Sequence, residues 1–291
     1  MSAETAAEHD LASSRGNSFA TDVWVNFKRW TIKGVRNPFI IVGAVVQPVI
    51  FLVLFTQVFG GVVSGAIGQG MGADITYETF LVPAIAIQVS LVAAASSGIG
   101  LVNDIEEGMF EKVLVSPMDR SAVFLGKSLA EFLRIAGQIV IVLVLGWLLG
   151  AEYALGIPGA LAVIVVGVVF SLWFTAFTNI VALITRDQES TIIGANLLQF
   201  PLLFVSSAFL PLESLPGWIQ TVAMFNPITY GADAARALVM GRDVMTVIEI
   251  DAFGGIWNTV VPAMAVLIAI GILFGGAAIY MLNRASKSAV A

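Results

Sequence analysis

The charged stretch Asn103–Arg120, NDIEEGMFEKVLVSPMDR, gathers Asp104, Glu106, Glu107, Glu111, Lys112, Asp119 and Arg120 in a chain that is otherwise mostly hydrocarbon-compatible. These residue types suit contact more than catalysis. There is no cysteine, and the single histidine, His9, lies in a polar N-terminal stretch. A thiolate metal site is therefore excluded, and neither a histidine-based metal site nor a Ser/His or Cys/His pair is expected. The nearest approach to a nucleotide-binding signature is Ser121–Ser128, SAVFLGKS. A phosphate loop needs GxxxxGK[ST] after a strand, so that consecutive backbone N–H groups cradle phosphates. Here Ser121 stands where the first glycine belongs, no strand precedes it, and the segment leads into an apolar run. No cofactor is expected, and if ATP drives this protein another chain binds it.

From Asn103 to Leu114 the pattern reads as a short two-faced helix. Ile105, Met109 and Val113 recur at four-residue spacing, as do Phe110 and Leu114, while Asp104, Glu107 and Glu111 line another face. Ser116-Pro117 ends it. Aromatic and acidic groups on a short helix between two apolar runs make a ball for another protein's socket. A solvated turn is the plainer alternative, and it leaves Met109 and Phe110 without a reason.

The elements that must position this stretch are apolar. Hydrophobic residues make up 58% of the chain and charged residues 12%, with mean hydropathy +0.93. Soluble domains average about 25% charged residues, so the class is an all-α polytopic membrane protein. Six runs, at about 38–59, 80–102, 122–149, 158–184, 191–210 and 257–282, each reach the ~20 residues that cross a hydrocarbon core. In the third run, Lys127, Glu131 and Arg134 stand near one helical face where they can pair with one another. That run is expected to enter the membrane near Ile135, which leaves no Asp, Glu, Lys, Arg or His in the core of any span. Without a buried proton carrier, a proton-coupled transporter or a stand-alone channel is the weaker reading.

Residues 1–17 read as a disordered cytoplasmic tail. Residues 18–37 read as an amphipathic helix in the membrane interface, with Phe19, Val23, Phe27 and Trp30 at helical spacing beside Lys28, Arg29, Lys33 and Arg36. With the N-terminus inside, Arg15, these four, Lys112, Arg120, Lys127, Arg134, Arg186, Arg284 and Lys287 lie in cytoplasmic segments. That is twelve of the fourteen basic residues, against Arg236 and Arg242 outside. The expectation is a cell-membrane protein of six spans over 38–284, with both termini, including the tail 285–291, in the cytoplasm. The net charge of −6 and pI near 4.8 have two readings. One is an acidic docking surface; the other is a halophilic prokaryote's acidic proteome. No nucleic-acid partner is expected.

An outer glycine-rich loop is expected at 60–79. The segment 211–241 is richer than a loop. Ser214-Leu215-Pro216 resembles a helix start, Trp218, Val222 and Phe225 follow at near-helical spacing, and Asn226-Pro227 breaks the pattern before a second helix from about Ile228 to Met240. Two such helices form an outer re-entrant or interfacial pair before the sixth span. Neutral polar groups punctuate the spans. Thr175, Thr178 and Asn179 share a face of the fourth, Asn196 and Gln199 stand three apart on the fifth, and Ser206 follows. Interhelical hydrogen bonding accounts for any one of them. Taken together they are the candidates to line a path for amphipathic cargo.

Two segments carry a family resemblance. EEGMFEKVLVSPMDRSAVFLGKSLAE resembles the segment after the second span of ABC-2 type transport permeases, the daunorubicin-resistance-like branch above all, through Gly108, Glu111, Ser116-Pro117 and Gly126-Lys127. PLESLPGWIQTVAMFNPITYGADAAR is similar to the same family's signature through Leu215-Pro216, Trp218, Asn226-Pro227-Ile228-Thr229-Tyr230, Asp233 and Arg236. The resemblance implies an export permease working as two copies, a homodimer, with two copies of a separate cytoplasmic ABC ATPase. It implies that Ile105, Glu106, Glu107, Phe110, Glu111 and Val113 form the ATPase-coupling surface. It assigns Pro216, Trp218, Asn226, Pro227, Tyr230, Asp233 and Arg236 to an outer gate. Glu106-Glu107 departs from the family pattern, where a basic residue often precedes the glycine.

Overall fold

The structure, a computed structural model, describes residues 18–36, 38–70, 75–108, 120–247 and 251–288. Among the described residues there are nine α-helices and no strand. They are α1 (Phe19–Val35), α2 (Pro38–Gly70), α3 (Tyr77–Glu106), α4 (Arg120–Leu148), α5 (Gly156–Thr185), α6 (Gln188–Phe204), α7 (Gly217–Ala223), α8 (Pro227–Met240) and α9 (Trp257–Ser288). Side-chain oxygens cap four of the starts, that of α8 through Asn226. Ser18 accepts from the Thr21 N–H, Thr76 from the Thr79 N–H and Asp187 from the Ser190 N–H. The last bond lowers the Asp187 carboxyl below its ordinary pKa, because the backbone donor stabilises the charged form.

Among the described residues, four helices are long and apolar enough to cross a membrane: α3, α4 from Leu125, α5, and α9 to Met281. α2 has 33 residues and no charged side chain. α6 has 17 residues, about 25 Å of helix against a hydrocarbon core of about 30 Å. α3 is the axis of the bundle, packed against α2, α4, α5, α6 and α8, and α9 closes over α5 and α8. Its contact with α5 is close because Gly98 has no side chain: a Cβ there would stand 2.5 Å from the Thr178 carbonyl oxygen.

Several elements differ from the sequence expectation. The expected loop at 60–79 is helical through Gly70, so α2 outruns its apolar stretch. Glycine weakens a helix by about 1 kcal/mol per residue, yet extending an existing helix needs no new nucleus. The expected separate helix at 103–114 is absent in its first part. α3 runs unbroken through Glu106, is capped by Glu107, and turns at Gly108 with φ +63. Met109, Phe110, Glu111 and Val113 lie outside the described residues, as do residues 1–17 of the expected N-terminal tail.

The expected span 191–210 is also shorter than its apolar run. α6 stops at Phe204, and residues 205–210 follow without regular helix while Ser206, Ser207, Ala208 and Phe209 are buried. On the face of α1 that the sequence named, Val23, Phe27 and Trp30 are half-buried and Phe19 is exposed. Asp22 and Asn26 are buried, whereas Trp24, Val25, Ile32 and Val35 are exposed. α1 passes closely over Gly126 of α4, where a Cβ would lie 2.7 Å from the Val23 carbonyl oxygen.

Candidate functional site

Two polar sites stand at opposite ends of α3. At its C-terminal end, Asp104 accepts a hydrogen bond from the Lys127 ammonium of α4 at 2.9 Å, and both side chains are largely buried. Glu106 accepts from Gln188 of α6 at 3.1 Å, and Glu107 stands 4.0 Å from Lys33 of α1. The Lys33–Glu107 contact is exposed and contributes little. Two ammonium groups, Lys33 and Lys127, approach the Trp30 ring, each 4.9 Å from its centroid. The acids of the opening stretch that fall within the described residues therefore grip helices of their own chain.

The three charges of α4 do not pair among themselves as their spacing suggested. Lys127 reaches Asp104, both Glu131 oxygens are 3.0–3.1 Å from the Ser97 hydroxyl, and Arg134 Nη2 donates to the Ala93 carbonyl at 3.1 Å. All three partners belong to α3, which runs antiparallel alongside and competes successfully for the side chains. Ala93 lies midway along α3, so Arg134 stands level with the middle of an apolar helix. Helix α4 begins at Arg120 and carries Lys127, Glu131 and Arg134 in its first half, ahead of a stretch to Leu148 that holds no charged side chain.

At the other end, Arg236 of α8 is completely buried, and all five guanidinium N–H groups have acceptors. Nε donates to the Phe80 carbonyl at 3.1 Å. Nη1 donates to Ser207 Oγ at 3.2 Å and Asp233 Oδ1 at 3.4 Å. Nη2 donates to the Ser207 and Ala208 carbonyls at 2.7 and 2.8 Å. The guanidinium carbon lies 3.7 Å from the centroid of the Phe80 ring. Asp233 is held in turn by the Ser207 hydroxyl and by the Thr246 N–H and hydroxyl. Asn226 Nδ2 donates to the Leu202 and Val205 carbonyls, and the Tyr77 hydroxyl donates to the Phe209 carbonyl. Arg236, Asn226 and Tyr77 thus satisfy the carbonyls that the end of α6 sets free, which is what irregular backbone needs among apolar helices.

Asn226 does double work, because its Oδ1 also accepts the Ile228 N–H and caps α8. Asn226→Ala removes the cap and strands two carbonyls. It is expected to cost about 2–4 kcal/mol, measured as the thermal midpoint in detergent; an unchanged midpoint would show that water replaces the amide.

The sequence-named gate residues divide. Asn226, Pro227, Tyr230, Asp233 and Arg236 are buried, with Tyr230 donating to the Met224 carbonyl, whereas Trp218 of α7 is exposed and Pro216 only precedes that helix. The candidate path residues divide too. Thr178 donates to the Ala94 carbonyl, and Asn179 Oδ1 is 3.4 Å from the Ser97 hydroxyl, so these two join the α3 cluster. Thr175 is half-buried, Gln199 is buried, Asn196 is exposed, and Ser206 is buried at the end of α6. Sequence spacing missed Ser207, Thr246, Tyr77 and Phe80, which approach Arg236 only through the fold.

A fully buried arginine clamp at one end, a buried ion pair at the other and long apolar helices between them make up the bundle of a membrane protein. The chain belongs to the ABC-2 type transporter family, whose profile it matches over residues 21–240. It is 29% identical over 244 residues to a daunorubicin resistance ABC transporter permease protein, DrrB1, of Streptomyces coeruleorubidus, covering 81% of this chain and 80% of that one. It is 26% identical to a probable doxorubicin resistance ABC transporter permease protein, DrrC, of Mycobacterium tuberculosis, covering 84% of this chain and 89% of the relative. A putative transport permease, ycf38, of Cyanophora paradoxa is 27% identical over 76% of this chain and 74% of its own length.

Proposed function

We propose that this chain is the membrane-spanning subunit of an ATP-driven exporter of amphipathic, drug-like or lipid-like cargo, energised by a separate ABC ATPase. The observation that carries the reading is the near full-length similarity to permeases named for daunorubicin and doxorubicin resistance. The absence of a complete phosphate-loop motif in the sequence agrees with it. In this reading α2 and α6 serve as the first and fifth of six spans, and α7 and α8 stand on the outer side. Both termini and the α3–α4 connection face the cytoplasm, as the distribution of basic residues favours. Two copies of the permease face one another, and two ATPases sit beneath them. Ile105, Glu106, Glu107, Phe110, Glu111 and Val113 form the coupling region, Pro216 to Arg236 close the outer side, and Thr175, Thr178, Asn179, Asn196, Gln199 and Ser206 border the cargo's route. ATP biases one of two states, and cargo follows the change of access.

The test uses inverted membrane vesicles that contain this chain and its cognate ABC ATPase. ATP is expected to drive accumulation of an amphipathic fluorescent dye, and Phe110→Ala to abolish both that accumulation and any stimulation of ATP hydrolysis. A second reading, a transporter driven by a proton gradient, is favoured by one observation: Arg134 donates to the Ala93 carbonyl midway along the apolar helix α3. Dye accumulation driven by an imposed pH gradient without ATP or ATPase would select it over the first.

A further inference from the structure

We propose that Trp30, Lys127 and Asp104 form a joint that carries any displacement of the C-terminal end of α3 to α1 and α4 together. The inference rests on the reading of the chain as an ATP-driven permease. It names residues that transmit the stroke inside the permease, distinct from those that would meet the ATPase.

The Lys127 ammonium is shared. It donates to Asp104 of α3 at 2.9 Å and stands 4.9 Å from the Trp30 ring of α1. Lys33, one turn further along α1, stands at the same distance from that ring. The side chains of Lys127 and Asp104 are only 14% and 11% exposed, so the pair is largely desolvated. Breaking one partner of such a pair is costly, and moving both together is not. Gly126, the residue before Lys127, lets α1 lie directly on α4, since a Cβ there would stand 2.7 Å from the Asn26 Cβ. The base of the ammonium is thus fixed relative to the ring above it.

The end of α3 is tied in three directions. Asp104 holds α4, Glu106 holds α6 through Gln188, and Glu107 approaches α1 through Lys33. Of these ties only the Asp104–Lys127 pair is buried. It is therefore the one that can bear a displacement, while the exposed ties steer it. Lys127, Asp104 and Trp30 are positioning residues: they touch neither cargo nor nucleotide.

The experiment uses the full chain with its cognate ATPase in proteoliposomes, an amphipathic fluorescent dye as cargo, and transport per ATP hydrolysed as the readout. Lys127→Met and Asp104→Asn are expected to lower the amount of folded chain and, per folded chain, to leave ATP hydrolysis in place while transport per ATP falls by about ten-fold. The charge exchange Asp104→Lys with Lys127→Asp is expected to restore most of it. A second measurement needs neither ATPase nor cargo. The chain has no cysteine, so nitroxide labels can be placed at Val25→Cys and Leu133→Cys, both exposed positions, on α1 and α4. Their distance distribution should be narrow in the otherwise native chain and broad with Lys127→Met. Transport and hydrolysis falling in parallel with the amount of chain, no recovery on charge exchange, or an unbroadened distribution would each overturn the joint. Wild-type chain that moves no dye on ATP addition would instead overturn the permease reading, and the label distances would still decide the joint.

Discussion

Arg236→Met is expected to destabilise the chain by about 3–5 kcal/mol, because it strips one partner from a buried charge pair. Methionine fills much of the volume and supplies none of the five donors. The carbonyls of Phe80, Ser207 and Ala208 lose the arginine's hydrogen bonds, and Asp233 is left with only Ser207 and Thr246 to hold it. Arg236→Lys is expected to fare almost as badly. A compact ammonium with three donors cannot reach acceptors spread around a planar fork. Adding Asp233→Asn to Arg236→Met should recover part of the loss, since the stranded carboxylate is removed while an acceptor for Thr246 remains. The thermal midpoint of the purified chain in detergent, followed by size-exclusion, reads all three. If Arg236→Met melted with the wild type, the arginine would be a passenger and not the clamp of residues 205–210.

That clamp marks the limit of what could be read from the sequence. The run 191–210 carries no charged side chain and is long enough to span, and its hydropathy gives no reason to stop at Phe204. The stop depends on Arg236, 28 or 29 residues later, taking the Ser207 and Ala208 carbonyls as acceptors. Pro201 contributes locally, yet a proline alone bends a helix as often as it ends one. By contrast, the start of α8 was legible. Asn226-Pro227 is both a break and a cap-plus-proline beginning, and the structure starts the helix there.

The α4 charges show the same division. The spacing of Lys127, Glu131 and Arg134 marked one face of a helix, and they do lie on the face that meets α3. Spacing within one helix could not reveal that an antiparallel neighbour would supply Asp104, Ser97 and the Ala93 carbonyl at matching heights. Nor could it show that these heights reach the middle of α3. The composition that identified an all-helical membrane protein, and the two motifs that resembled ABC-2 permeases, needed no such knowledge. The acidity of Glu106-Glu107, the departure from that family's pattern, has an account inside the chain, in contacts with Gln188 and Lys33.

Gly98→Ala against Gly100→Ala separates helix propensity from helix packing. Both glycines lie in α3, two residues apart, and in an isolated helix each change would stabilise by about 1 kcal/mol. At Gly100 nothing stands within 4 Å of the added Cβ, so the substitution is expected to be neutral or mildly stabilising. At Gly98 the Cβ would fall 2.5 Å from the Thr178 carbonyl oxygen and 2.8 Å from its carbon. These are backbone atoms of α5, and no rotamer change removes the conflict. The two helices must part, which also lengthens the bond from the Thr178 hydroxyl to the Ala94 carbonyl and draws Asn179 away from Ser97. Gly98→Ala should therefore lose about 1–3 kcal/mol despite its better helix propensity, and Gly98→Val should leave little folded chain in the membrane. Thermal midpoints of the two alanine variants that moved together, in either direction, would mean that α3 and α5 do not meet at this height.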